Sequence, residues 1–360
     1  RDKYTFFTDK NENYQLLANK NFNFDNSNLN LKFGSVKEEN ISAQGNIDDE
    51  YDGVENYTLN LNYHKYLNSN IEFYNTTYLR QTIAEYDNSS TNQTGYEGDN
   101  KMGSFQFGIN NTNKNSKTKS VIYYNTYDRE YDERGTIDTY NSEAIGFKFD
   151  YSKTLTKKAS FGIGSEYKYD WGSFDNRGSY TASTKGNVDN FSIFGNLGLN
   201  LFPKTNLSLF LRNDKHKVTG SHSTYRVNIN QNINNFNFGI SRMIGLRNPT
   251  LYELYGTDNF GFSGNKDLKA EESLTDEVYA KYLLNENFFI SSTLFRSNIS
   301  NNIEYKSNKY VNDSDNVDLN QSGMTNNFSF NSSKFNADLF TSFLSSKKEN
   351  GADQLRRPEK

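Results

Sequence analysis

The stretch Tyr57 to Phe73, YTLNLNYHKYLNSNIEF, decides the fold. Tyr57, Leu59, Leu61 and Tyr63 alternate with Thr58, Asn60, Asn62 and His64. After Leu67 to Asn70, Ile71 and Phe73 open a second run of the same period. A period of two puts one kind of side chain on each face of a strand, and the Asn/Ser break supplies a turn. The stretch reads as an antiparallel hairpin.

The same unit recurs in both directions from it. Phe105, Phe107 and Ile109 lead through Asn113 to Lys117 into Val121 and Tyr123. Ile145, Phe147, Phe149 and Tyr151 lead through Thr154 to Lys158 into Phe161, Ile163, Tyr167 and Tyr169. Phe191 to Leu201 turns at Pro203 to Thr205 into Leu207, Leu209 and Leu211. Further turns fall near Asn232 to Asn235, Asn285 to Asn287 and Asn331 to Lys334, with a first near Asp25 to Asn28. About eight hairpins give roughly sixteen strands. Between them run polar segments expected to be long loops: Lys37 to Asn56, Arg80 to Gly103, Asp128 to Glu143, Asp170 to Asn190, Ile244 to Asp276 and Asn301 to Thr325. Short turns alternating with long loops are the asymmetry of an outer-membrane barrel. The fold class is all-β, an antiparallel meander closing as a transmembrane β-barrel.

Composition is compatible with that. The 26 Tyr and 28 Phe among 360 residues favour strands; the mean hydropathy of -0.90 is low for a membrane protein, and no run approaches the ~18 apolar residues of a spanning helix. A barrel tolerates such polarity because only alternate residues of each short spanning segment meet lipid. Tyr66, Tyr74, Phe202, Tyr169 and Trp171, near strand ends, are candidates for interfacial belts. The net charge of -4, with mixed signs, gives no nucleic-acid surface, and the absence of Cys removes thiolate chemistry.

Chemistry is sparse. The three histidines, His64, His216 and His222, have no metal-ligand spacing, and no G-x-S-x-G elbow occurs. Asp214 and His216, two apart on a strand, could form an acid–base pair, but their charged surroundings read as a solvated strand end, so no enzyme is expected. Acidic residues concentrate at Asp48, Asp49, Glu50 and Asp52, at Glu85, Asp87, Glu97 and Asp99, and at Asp128, Asp132 and Asp138. Carboxylates converging from neighbouring loops are what calcium requires.

One excursion is more specific. Gly245 to Ser273, GLRNPTLYELYGTDNFGFSGNKDLKAEES, is rich in glycine and carries Leu251, Tyr252, Leu254 and Tyr255, which need something to pack against. Arg247, Pro249, Leu251, Glu253, Leu254 and Tyr255 followed by Gly264, Asn265, Leu268 and Glu271 resemble the R/K-x-P-x-L-x-E-L-Y and G-N-x-x-L-x-x-E runs of TonB-dependent outer-membrane receptor barrels. Ile41-Ser42-Ala43, Asp52-Gly53 and Asn56-Tyr57 resemble the vitamin B12 (cobalamin) subgroup, although Thr325 stands where the family often has Glu.

The resemblance implies residues 1–360 are part of a barrel of about 22 strands, with an N-terminal plug before Arg1 and further strands after Leu355-Arg356-Arg357-Pro358. It implies an outer-membrane location in contact with lipid, TonB-driven uptake, and a scarce large ligand: cobalamin first, a siderophore or other metal chelate second. A passive porin or adhesin is a further alternative. Tyr252, Tyr255, Asn259 and Phe260 are expected to meet ligand. Asp87, Asp99, Asp132 and Asp138 are expected to bind calcium as a cofactor.

Overall fold

The computed structural model describes residues 3–8, 13–41, 51–88, 93–177, 181–312, 319–348 and 351. Ser42, Ala43, the acidic run 48–50 and the Arg356-Arg357-Pro358 match lie outside the described residues.

The strands are β1 (Lys3–Thr8), β2 (Tyr14–Asn23), β3 (Ser27–Ile41), β4 (Tyr51–Tyr66), β5 (Ile71–Asn88), β6 (Gln93–Thr112), β7 (Ser116–Glu133), β8 (Thr136–Thr156), β9 (Ala159–Asn176) and β10 (Ala182–Phe202). They continue with β11 (Thr205–His216), β12 (Gly220–Ile233), β13 (Phe236–Arg247), a single helical turn α1 (Leu251–Tyr255) and the two-residue β14 (Thr257–Asp258). Then come β15 (Glu271–Leu283), β16 (Phe288–Ser300), β17 (Ile303–Lys306), β18 (Lys309–Asn312), β19 (Leu319–Asn331) and β20 (Asn336–Lys348). Eighteen strands belong to one sheet, and β17 with β18 forms a separate hairpin. Setting aside β1 and β14, the sheet has the sixteen long strands expected.

The chain divides into two compact units. Unit 1 is Arg1–Asp150, Glu166–Asn190 and Leu251–Gly264. Unit 2 is Tyr151–Ser165, Phe191–Thr250 and Asn265–Lys360. Within unit 1, β1 to β7 pair antiparallel with their chain neighbours. Within unit 2 the same holds for β11, β12, β13, β15, β16, β19 and β20.

Each strand separates its side chains as the alternation requires. Leu79, Phe107, Ile122, Ile145 and Phe147 in unit 1, and Leu211, Ile240, Val278 and Leu294 in unit 2, are exposed on one face, called outer below. The opposite, inner face is lined by polar, aromatic and small residues. Tyr74 lies over Gly108, directly across the strand pair, where an added Cβ would sit 2.2 Å from its ring. Tyr279 lies over Gly239 in the same way. Pairing an aromatic ring with a glycine fills the gap that the missing side chain leaves. This corrects the belt assignment of Tyr74, which is 7% exposed on the inner face. Tyr169 and Trp171 do belong to an outer-face stack with Tyr124 and Phe105, with ring centroids 5.4, 6.5 and 6.1 Å apart along the series.

The short turns fall where expected because their residues close them. Asn68 Oδ1 accepts from the N–H groups of Asn70 and Ile71 at 2.8 and 2.9 Å, and Asn285 does the same for Asn287 and Phe288. The other rim departs from expectation. Most of the polar segments expected to be loops are strand: β5 and β6 run to 18 and 20 residues, and β7 meets β8 at Arg134-Gly135 alone. Both turn residues have positive φ, 56° and 92°, the two-residue geometry that matches strand twist. Beyond lipid both faces of a hairpin are wet, so apolar alternation fades while the backbone ladder continues.

Candidate functional site

The excursion after β13 begins at Pro249, which cannot extend a ladder. Leu251 to Tyr255 forms one helical turn, closed by Gly256 N–H to the Tyr252 carbonyl at 2.9 Å. It buries Leu254, 1% exposed, and Glu253. Thr257 and Asp258 pair with Ser183 and Ala182 of β10, and Thr257 Oγ1 donates to the Ser183 carbonyl at 2.9 Å. Asp258 Oδ1 accepts from the N–H groups of Phe260 and Phe262, each at 2.8 Å, which folds the tip back. Gly261 takes φ 93° at that bend, a conformation glycine adopts without steric cost. At Gly264 an added Cβ would lie 2.5 Å from the Leu254 carbonyl carbon, so the returning chain passes where only glycine fits.

Of the four expected ligand residues, two hold this cap on the wall. Tyr252 stacks on Phe262 at 5.0 Å and reaches Phe174 of β9 at 6.2 Å. Tyr255 lies over Gly186 and donates through its hydroxyl to the Asn187 carbonyl at 3.3 Å, and burial raises its phenol pKa. Asn259 and Phe260 occupy the exposed tip, with Phe260 60% exposed and Asn259 anchored by its N–H to the Thr181 carbonyl at 2.9 Å.

The second half of the excursion belongs to unit 2 and is equally structural. Asn265 Nδ2 donates to the Tyr310 carbonyl at 2.9 Å, and Glu271 accepts from Arg247 and from the Ile303 N–H. Leu268 and Ala270 are buried.

Sequence reading missed a line of rings leading to the cap. Tyr96, Tyr86, Tyr131, Tyr140 and Phe174 follow one another across β6, β5, β7, β8 and β9 at centroid spacings of 5.5, 5.9, 5.9 and 5.4 Å, and Tyr252 continues the line. The Arg129 guanidinium lies 5.1 Å from the Tyr131 ring. Burial, then the nearby charge of Glu133, pushes the Tyr86 phenol up to about 12. The available signal is the inward parity of these tyrosines, carried in segments whose polarity reads as loop.

Three of the four expected calcium residues have protein partners. Asp99 accepts from Gln81 Nε2 at 3.0 and 3.1 Å and pairs with Lys101 at 2.8 Å. Asp132 caps the Gly135 N–H at the β7–β8 turn, and Asp138 accepts from the Arg177 N–H at 2.8 Å. Asp87 lies at the register irregularity between Tyr86 and Asn88. Asp99 and Asp132 face outward as diagonal neighbours on β6 and β7, while Asp138 faces inward, so parity separates Asp138 from them. Among the described residues no three acidic or histidine side chains come together. With Asp138 on the other face and Asp99 and Asp132 already bonded within the sheet, the four fall short of the roughly six to eight oxygens that calcium takes.

The Asp214–His216 segment is not a solvated strand end. Both residues are 5% exposed, and Asp214 accepts from Ser192 Oγ at 2.6 Å and from Arg212 Nε at 2.9 Å. His216 Nδ1 instead accepts from the Val218 and Thr219 N–H groups. His64 and His222 pair with Glu72 and Glu272.

Residues 2–341 match the family model described as TonB dependent receptor-like, beta-barrel. No curated protein matches the chain in sequence. Among solved structures, the siderophore receptor PirA from Acinetobacter baumannii superposes with a TM-score of 0.78 at 14% identity, covering 96% of this chain and 61% of that one. The copper transporter OprC gives 0.80 at 11%, covering 98% and 62%. A mutant of the ferric enterobactin receptor PfeA from Pseudomonas aeruginosa gives 0.76 at 14%, covering 96% and 61%. The chain thus spans less than two thirds of each of these proteins.

Proposed function

The chain belongs to the TonB-dependent receptor β-barrel family of the outer membrane, and from that premise we infer that it forms the wall and rim of a receptor for a scarce metal chelate. Uptake would be driven by the TonB energy-coupling system. The observation that carries this reading is the inner-face line of rings from Tyr96 to Phe174, joined by Tyr252 to a cap whose tip exposes Asn259 and Phe260. Ring faces offer large contact area at small conformational cost and suit a flat ligand with polar edges.

Siderophore and copper proteins among the structural matches support a chelate over cobalamin. The cobalamin expectation rests on the short matches at Ile41-Ser42-Ala43, Asp52-Gly53 and Asn56-Tyr57, and three of the aspartates that it implies as calcium ligands, Asp99, Asp132 and Asp138, bond within the sheet. Phe260 and Asn259 are the residues assigned to ligand; Tyr252 and Tyr255 position them.

The test uses the full-length receptor with ferric enterobactin and cyanocobalamin as probes. Binding of the iron chelate and a loss of about tenfold on joint Asn259→Ala and Phe260→Ala substitution, without change in the unfolding midpoint, are expected. Binding of cyanocobalamin alone, or unchanged chelate affinity in the double variant, would overturn the assignment.

A further inference from the structure

A groove of about 830 Å³ lies on unit 2, crossing β15, β16, β19 and β20. Its floor is the row Val278, Leu294, Met324 and Phe343, which are register partners on successive strands. Val278, Leu294 and Phe343 are about half exposed on the outer face, at 53%, 54% and 49%. Two residues farther along each strand, toward the β13–β15 and β16–β19 connections, the same face carries Asp276, Arg296, Ser322 and Ser345. Lys347 stands one pleat beyond Ser345 and also lines the groove.

An apolar row on a wall in lipid needs no explanation; the cations at its end do. Arg296 and Lys347 are exposed, and among the described residues neither is in an ion pair. The neighbouring carboxylate, Asp276, is held by Arg242 at 3.3 Å. Ser322 and Ser345 are small, so they leave space between the two cations while presenting hydroxyl donors.

A second groove, on the outer face of unit 1, has the same apolar-to-polar order over Phe33, Leu59 and Leu79 but a different charge. There Lys101 is neutralised by Asp99 at 2.8 Å, and Asp128 lines the same edge.

We propose that the unit 2 groove binds a phosphate-bearing lipid of the surrounding membrane, with an acyl chain along the Val278–Phe343 row and the headgroup phosphate between Arg296 and Lys347. Hydrocarbon alone gains nothing from the cations, and a free anion gains nothing from the floor; an amphiphile uses both. The guanidinium of Arg296 offers paired N–H donors to phosphate oxygens, and Lys347 adds a point charge. The site is independent of the transported ligand, because it lies on the lipid-facing side of the wall.

Full-length protein in neutral detergent is titrated with dioleoylphosphatidic acid, dioleoylglycerol or inorganic phosphate, and bound lipid is read by native mass spectrometry alongside the unfolding midpoint. Retention and a raised midpoint are expected with phosphatidic acid only. Joint Arg296→Gln and Lys347→Gln substitution should weaken it about thirtyfold, taking each interfacial charge at its usual contribution. Lys101→Gln should leave it unchanged, and both variants should keep the lipid-free midpoint. Equal retention of dioleoylglycerol, an equal midpoint shift with inorganic phosphate, or undiminished binding by the double variant would overturn the proposal.

Discussion

The outer faces of the two units leave their apolar bands in different ways. In unit 1 the band ends in a stack of rings, Phe105, Tyr124, Trp171 and Tyr169, beside a lysine already paired to Asp99. In unit 2 the row Val278, Leu294, Met324 and Phe343 gives way within one pleat to Arg296, two serines and Asp276, whose carboxylate is paired to Arg242. Indole and phenol groups settle at headgroup depth through amphipathicity, whatever the lipid charge. Unpaired cations settle there only by finding anions. The difference teaches that an apolar band can end in two chemistries, one indifferent to lipid charge and one that, on the proposal above, depends on it.

The comparison can be broken by substitution, with urea unfolding of the full-length protein from vesicles as the measurement. Joint Tyr124→Ala and Trp171→Ala should cost the most, about 3 kcal/mol, equally in neutral and anionic vesicles. A cost that varied with lipid charge would erase the distinction. Leu294→Arg should cost about 2 kcal/mol by placing a charge in the apolar row, less than a charge at the bilayer midplane. If it were neutral, the boundary would lie below Leu294 and the groove would be misplaced.

Alkaline pH should act more weakly, and on the inner ring line of unit 1. With its pKa raised to about 12, Tyr86 stays protonated in the fold after the unfolded phenol, near 10, has ionised. Its contribution is therefore complete below about pH 10 and is lost as pH rises through about 12. Tyr86→Phe should flatten the stability profile over that window, and an unchanged profile would remove burial of this phenol from the account. Millimolar calcium should have no effect on the unfolding midpoint, since Asp99 and Asp138 face opposite sides of the sheet. A rise would mean that the aspartates reorganise into a shell.

The loop expectations failed for a reason visible at β5 to β8. Their outer ends alternate tyrosine on the inner face with mostly acidic residues on the outer, so the apolar-to-polar contrast that marks a strand in lipid is gone although the backbone pairing continues to Asn88 and Glu133. The family-like motif misled in a narrower way. Arg247, Leu254, Gly264, Asn265 and Glu271 are latches that shape the excursion, while the exposed tip residues Asn259 and Phe260 lie outside the motif. Residues needed to hold a shape impose a fixed pattern; a residue that meets a ligand is constrained by that ligand, which the chain does not encode.

Period-two alternation and Asn/Ser turns determined the strand number, the antiparallel order and the face each side chain takes, because those follow from local geometry along one strand. Register across strands decided the rest: which tyrosines form a line, which carboxylates become neighbours, and that Arg296 stands at the end of an apolar row. Those neighbours are distant in sequence, and only the pairing of separate strands sets them side by side.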